Sequence, residues 1–200
     1  MRWWTGRRQP WDEVTYLALD LETTGLDPKR DRILSVGMVP LSGGLIRWGD
    51  RRYTLVRGPE EASGSGALGV HQILPGDTTN APTEPQVLSW IFAHFEHSVL
   101  LVHHAPVDLR FLKAAARRHR RRWPAPRVVD TVRLLGRLEL RMERLEPYPP
   151  ALPRGLDQAR RALGLPGHHA HHALADALAT AELFLALRTR LDARLLGQLL

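Results

Sequence analysis

Two carboxylates, Asp20 and Glu22, stand two residues apart in the apolar run LALDLETTGLDP, from Leu17 to Pro28. In a strand, residues i and i+2 point to the same face. Two acids on one face of an apolar strand are costly to bury unless something neutralises them. A divalent cation suits, because carboxylate oxygens favour hard ions such as Mg2+ and Mn2+. The plainer reading is a solvated acidic edge at a strand end. Asp108, in VHHAPVDLRFL, and Asp176, in HHALADALAT, each open a helical stretch. There an acid can also serve the helix dipole, for about 0.3–1 kcal/mol. His171 lies five residues before Asp176. Together, four carboxylates and a histidine are the parts needed for phosphoryl hydrolysis with two metal ions ~3.5–4 Å apart. A histidine titrates near neutrality and can take the proton of an attacking water. His168, His169 and His172 compete for that role on composition, and a zinc site in the same run is a further reading.

These residues need a scaffold, and the hydrophobic pattern supplies one. Val14 to Leu21, Ile33 to Leu41 and Leu45 to Val56 read as three successive strands, with Ser42-Gly43-Gly44 as a hairpin turn. Arg57 to Gly69 reads as a loop. Gln86 to His97 has helical periodicity, and Val99 to His103 is a short apolar strand. Pro106 suits the first turn of a helix running towards Arg122. Arg127 to Val129 is a strand, followed by a helix through about Leu140. Four prolines between Glu146 and Arg154 impose an irregular loop. Leu156 to Leu163 is a helix ended by Gly164, and Ala173 to Leu191 a final helix. A three-strand meander followed by strands alternating with helices predicts an α/β domain with a mixed, five-stranded sheet. Residues 1–12 read as an N-terminal arm and residues 13–200 as the catalytic domain.

Composition narrows the classes. Of 200 residues, 44% are hydrophobic and 24% charged, which supports a sizeable core rather than disorder. The absence of cysteine excludes thiol nucleophiles, disulfides and zinc–thiolate sites. The formal charge of +7 suggests an anionic partner such as nucleic acid, and is also what an arginine-rich, GC-rich genome produces. No apolar run reaches the ~18 residues of a membrane span. The N-terminus lacks an uninterrupted apolar segment, so a cytoplasmic protein is expected.

Three motifs in order carry a family resemblance. LDLETTGLDP, VHHAPVDLRFL and HHALADALATAELFLAL resemble the acidic motifs of the DEDDh 3′–5′ exonucleases, the group of the proofreading epsilon subunit of bacterial DNA polymerase III. Val70-His71-Gln72-Ile73 and Val129-Asp130-Thr131 resemble two lesser segments of that family, and the likeness covers about Tyr16 to Leu187. The resemblance implies a ribonuclease H-like fold and two Mg2+ (or Mn2+) ions. It implies Asp20, Glu22 and Asp176 as metal ligands, with Asp20 bridging. Asp108 would serve the second ion and His171 would be the general base. Thr23, Thr24 and His71 would face the terminal nucleotide. His104 stands where the family usually has Asn, and Val107 where it has Phe, departures that bear on the substrate pocket. The implied reaction is release of 5′-mononucleotides from a nucleic acid 3′ end, DNA before RNA, with a DNA polymerase or repair protein as partner. The alternatives are an RNA 3′-end exoribonuclease and a catalytically silent nucleic-acid-binding module.

Arg117, Arg118, Arg120, Arg121 and Arg122 surround His119 at the end of the Pro106 helix. At 1.5 Å per residue this cluster lies roughly 18 Å from Asp108. It therefore reads as a solvated helix end favoured by the dipole, or as a grip on upstream duplex or protein.

Overall fold

The computed structural model describes residues 6–57, 73 and 75–200. Among these residues, six strands form one mixed sheet: β1 (Tyr16–Thr23), β2 (Ile33–Ser42), β3 (Leu45–Ile46), β4 (Arg52–Leu55), β5 (Val99–Val102) and β6 (Val128–Asp130). The order is β3-β2-β1-β5-β6, with β4 also on β2. β1 runs antiparallel to β2 and parallel to β5, which is parallel to β6. The structure thus has six strands where the sequence reading had five, because the strand expected over Leu45 to Val56 is two. β3 and β4 pair with different stretches of β2 and are separated by a 3-10 turn at Trp48–Asp50. Gly49 and Asp50 are poor strand formers, and the chain breaks there. Gly43 and Gly44 both have positive φ, 59° and 72°, as a tight hairpin turn requires.

Among the described residues, five helices cover the sheet: α1 (Glu84–Phe95), α2 (Ala105–Arg118), α3 (Thr131–Glu143), α4 (Leu156–Ala162) and α5 (Ala173–Arg190). Alternation along β1 assigns its two faces. Leu17 and Leu19 pack with Val87, Leu88 and Ile91 of α1 and Phe111 and Leu112 of α2. Tyr16 and Ala18 pack with Leu134 and Leu138 of α3, Ala159 of α4 and Ala177, Ala181 and Phe184 of α5. Asp20 and Glu22 continue this second series, so they point to the α5 face.

The helix expected to reach towards Arg122 stops at Arg118. Arg120 is left-handed at φ 52°, and the Arg121 N–H bonds back to the Ala116 carbonyl, a Schellman-type end. Arg118 and His119 turn onto the Glu84 carboxylate of α1, and Arg118 also donates to the carbonyls of Pro28 and Asp31. Two members of the cationic cluster therefore tie α2 to α1 and to the turn after β1. Ahead of β1, Pro10 bridges to Leu195, and Trp11 lies against Phe184 with the Arg188 guanidinium over its ring. Among the described residues, no helix is long and apolar enough to cross a membrane.

Candidate functional site

β1 brings Asp20 and Glu22 out of the sheet near its C-terminal end, and α5 brings Asp176 to them. One carboxylate oxygen from each of these three residues lies within 4.8 Å of the other two. The approach of α5 depends on Gly37. Gly37 is the β2 residue paired with Asp20, and an added Cβ would sit 2.1 Å from the Ala173 carbonyl oxygen and 2.4 Å from the Leu174 nitrogen. The first turn of α5 thus rests directly on the backbone of β2, which puts Asp176, one turn on, over Asp20.

Asp108 enters from α2 and is buried. Its turn is fastened by Asp130, the last residue of β6 and the N-cap of α3. One Asp130 oxygen accepts from the His104 and Val132 amides and the other from the Ala105 amide, each at 3.0 Å. One carboxylate therefore caps the starts of both α2 and α3. His104 adopts a left-handed φ of 69° there, with an exposed side chain, while the His103 ring bonds to the Thr131 hydroxyl and the Arg154 carbonyl.

The histidine loop meets Asp176 in two ways. The His171 backbone N–H donates to Asp176 Oδ2 at 3.0 Å, with His171 left-handed at φ 67° and its side chain exposed. The ring nearest the carboxylate is that of His168, whose Nε2 lies 2.7 Å from Asp176 Oδ1. His172 stacks on Tyr53 of β4, ring centroids 4.6 Å apart.

Thr23 and Thr24 shape the turn after β1. The Thr23 hydroxyl donates to the Gly25 carbonyl, and Thr24 shares the Asp31 carboxylate and the Arg32 amide. A Cβ on Gly25 would lie 2.5 Å from Asp31 Oδ2, so a side chain there would displace the carboxylate that Thr24 and the Asp27 amide hold. His71 lies outside the described residues. The structure thus gathers Asp20, Glu22 and Asp176, buries Asp108 near enough to act on the Asp20 charge, and brings His171 in by its backbone. Gly37 escapes a reading of the sequence, which takes Asp130 only as part of a family-like segment and His168 only as a competitor for the base. A lone glycine inside an apolar strand was the available signal for Gly37, and an Asp before a helix that for Asp130. No spacing rule marks His168.

Electrostatics bear on whether a cation fits. Burial, then the charges of Asp108, Asp176 and Glu22, raise the Asp20 carboxyl well above its ordinary range. Burial and then Asp176 push Glu22 up to about 7. Asp108 is pushed up to about 8, by burial first and also by Asp130 and Glu22, against backbone N–H groups that favour its ionised form. All-oxygen donors, crowded and mutually repelling, fit a hard divalent ion. A raised acid pKa means that the folded state holds protons the unfolded chain releases above about pH 4. Stability then falls as pH climbs through that window towards the folded values. The metal-free protein should therefore lose on the order of 5–10 °C of melting temperature between pH 5 and pH 8. Mg2+ should restore most of it at pH 8. A melting temperature in EDTA that stays flat or rises across this range would refute the charge crowding.

A family model described as exonuclease, RNase_T, matches residues 17–184. The chain is similar to the PolC-type DNA polymerase III of Thermotoga maritima, 33% identical over 176 residues, which are 86% of this chain and 12% of that protein. It is 29% identical to the DNA polymerase III subunit epsilon of Treponema pallidum, over 86% of this chain and 76% of that one. Its fold matches E. coli exonuclease I in complex with a dA16 oligonucleotide. The TM-score is 0.75 and the identity 19%, over 90% of this chain and 42% of that chain.

Proposed function

Because the chain belongs to the RNase_T exonuclease family, we propose that it is a metal-dependent 3′–5′ exonuclease. It hydrolyses the terminal phosphodiester of DNA and releases 5′-mononucleotides, with residues 13–200 as the catalytic domain. The observation that carries this reading is the meeting of Asp20, Glu22 and Asp176 oxygens within 4.8 Å. Asp20, Glu22 and Asp176 hold the ions, two Mg2+ or Mn2+, and Asp108 serves the second. When bound, these ions supply positive charge to the phosphoryl oxygens and lower the pKa of water.

The chain's own residues do the rest. The exposed His171 ring takes the proton of the water that attacks phosphorus, while its backbone stays fixed to Asp176. The P–O3′ bond breaks, and the departing 3′ oxygen takes up a proton. The Thr23-Thr24-Gly25 turn brings backbone close to the terminal nucleotide, and His71 and His104 border it. Relatives named as DNA polymerase III proteins, together with an exonuclease I solved with an oligonucleotide, support DNA as substrate and work beside a polymerase.

His171→Ala should lower kcat by about 10²–10⁴-fold. His172→Ala, which loses only the Tyr53 stack, should cost less than about tenfold in the same units. Steady-state digestion of a 5′-labelled single-stranded oligonucleotide with Mg2+ measures both, and the reverse ranking would move the base to His172. Matched RNA in parallel tests the substrate. Faster cleavage of RNA would make the protein an exoribonuclease, and no cleavage of either would make it a binding module.

A further inference from the structure

We propose that His168 is a positioning residue for the metal site, orienting the Asp176 carboxylate from the side away from solvent. The inference rests on the reading of Asp176 as a metal ligand. His168 is not a spare member of a floppy histidine run. Its side chain is only 9% exposed, and its Nε2 lies 2.7 Å from Asp176 Oδ1. The other Asp176 oxygen takes the His171 amide, so both oxygens are held from within the chain. Each retains a second lone pair for an ion.

The loop that carries His168 is anchored below. Arg160 of α4, 1% exposed, donates to the Pro166 carbonyl at 3.0 Å and to the Ala179 carbonyl of α5 at 2.9 Å. It also pairs with Glu182 at 2.7 Å. One buried guanidinium therefore links α4, α5 and the approach to His168. Behind the ring, His168 Nδ1 faces Asp157 Oδ1 across 3.7 Å. Both atoms are buried and have no hydrogen-bond partner. Asp157, His168 and Asp176 thus form a line from the α4 start to the metal ligand. Outer groups that hydrogen-bond a metal ligand fix its orientation, and His168 does so here for the Asp176 carboxylate. In this arrangement the His168 Nε2–H donates to Asp176 Oδ1, and the burial of the ring keeps it there, while the 3.7 Å to Asp157 is too long for a hydrogen bond.

The experiment is Mn2+ titration of metal-free protein without nucleic acid, followed by electron paramagnetic resonance. The proteins are wild type, His168→Leu, His168→Gln and Asp176→Asn. His168→Leu removes the donor and keeps the bulk, and should weaken Mn2+ binding about 10–100-fold. His168→Gln, whose amide can still donate, should stay within about threefold of wild type. Melting of the metal-free proteins verifies folding. If His168→Leu does not fold, His168→Asn, whose shorter amide falls short of Asp176, replaces it. The Mn2+ concentration that gives half-maximal nuclease turnover should rise by the same factor in His168→Leu. Unchanged or tighter Mn2+ binding in His168→Leu, with binding lost in Asp176→Asn, overturns the role of His168 and leaves the site reading intact. Wild-type affinity in Asp176→Asn overturns the site reading itself.

Discussion

Asp20→Asn should remove nuclease turnover by at least about a thousandfold and, in metal-free buffer, make the protein more stable. The two halves share one cause. Asp20 stands among Asp108, Asp176 and Glu22, all of which raise its carboxyl, on top of burial. The neutral, isosteric amide relieves that repulsion. The same change removes a charge from the centre of the proposed metal site. Ions bound there would supply several kcal/mol of transition-state stabilisation, and about 4 kcal/mol corresponds to a thousandfold. A 3′-end digestion assay with Mg2+ and a thermal melt in EDTA read the two effects separately. Undiminished activity would remove Asp20 from the site, and a lower metal-free melting temperature would contradict the crowding of carboxylates.

Gly37→Ala should damage both properties, and that separates a positioning backbone from a ligand. Its methyl group has no room, since the Ala173 carbonyl oxygen would lie 2.1 Å away and neither neighbour is a flexible side-chain tip. Either α5 lifts from the sheet or β2 shifts beneath Asp20. Overpacking of this kind costs about 1–3 kcal/mol, or about 2–4 °C of melting temperature per kcal/mol in a domain of this size. Lifting the start of α5 carries Asp176 away from Asp20, and a displacement of about 1 Å at a reacting centre costs on the order of a hundredfold in rate. Activity and melting temperature should fall together. Wild-type values for both would mean that the α5 contact is soft and that Asp176 is placed by other means.

The parts of the site that share a local period could be read from the chain. Asp20 and Glu22 had to share a face because strands alternate, and the neighbouring Ala18 and Tyr16 show which face it is. Asp176 was legible from its place in the first turn of a helix and from the motif around it. What hid from the sequence depends on contacts between distant segments. Gly37 matters only because Ala173 lands on it, 136 positions further along. Asp130 caps its own helix, which is local, and also the helix that opens at Ala105, which is not. His168 lies eight residues before Asp176 and outside helical spacing, so only the Arg160-anchored loop brings it in. The break in the expected third strand had a local sign, Gly49-Asp50. The β-branched and aromatic residues around it outweighed that sign.

The polypeptide enters and leaves this fold side by side. Pro10 bridges to Leu195, the Gln9 carbonyl takes the Leu196 amide and the Arg7 carbonyl takes that of Gly197. A unit whose two ends meet can be spliced into a loop of a larger host without pulling the host's strands or helices apart. The same geometry allows circular permutation, with new ends opened at an exposed turn such as Gly43-Gly44 and the old ones joined by a short linker. The clustered carboxylates, carried by β1, α2 and α5, would keep their places in either arrangement.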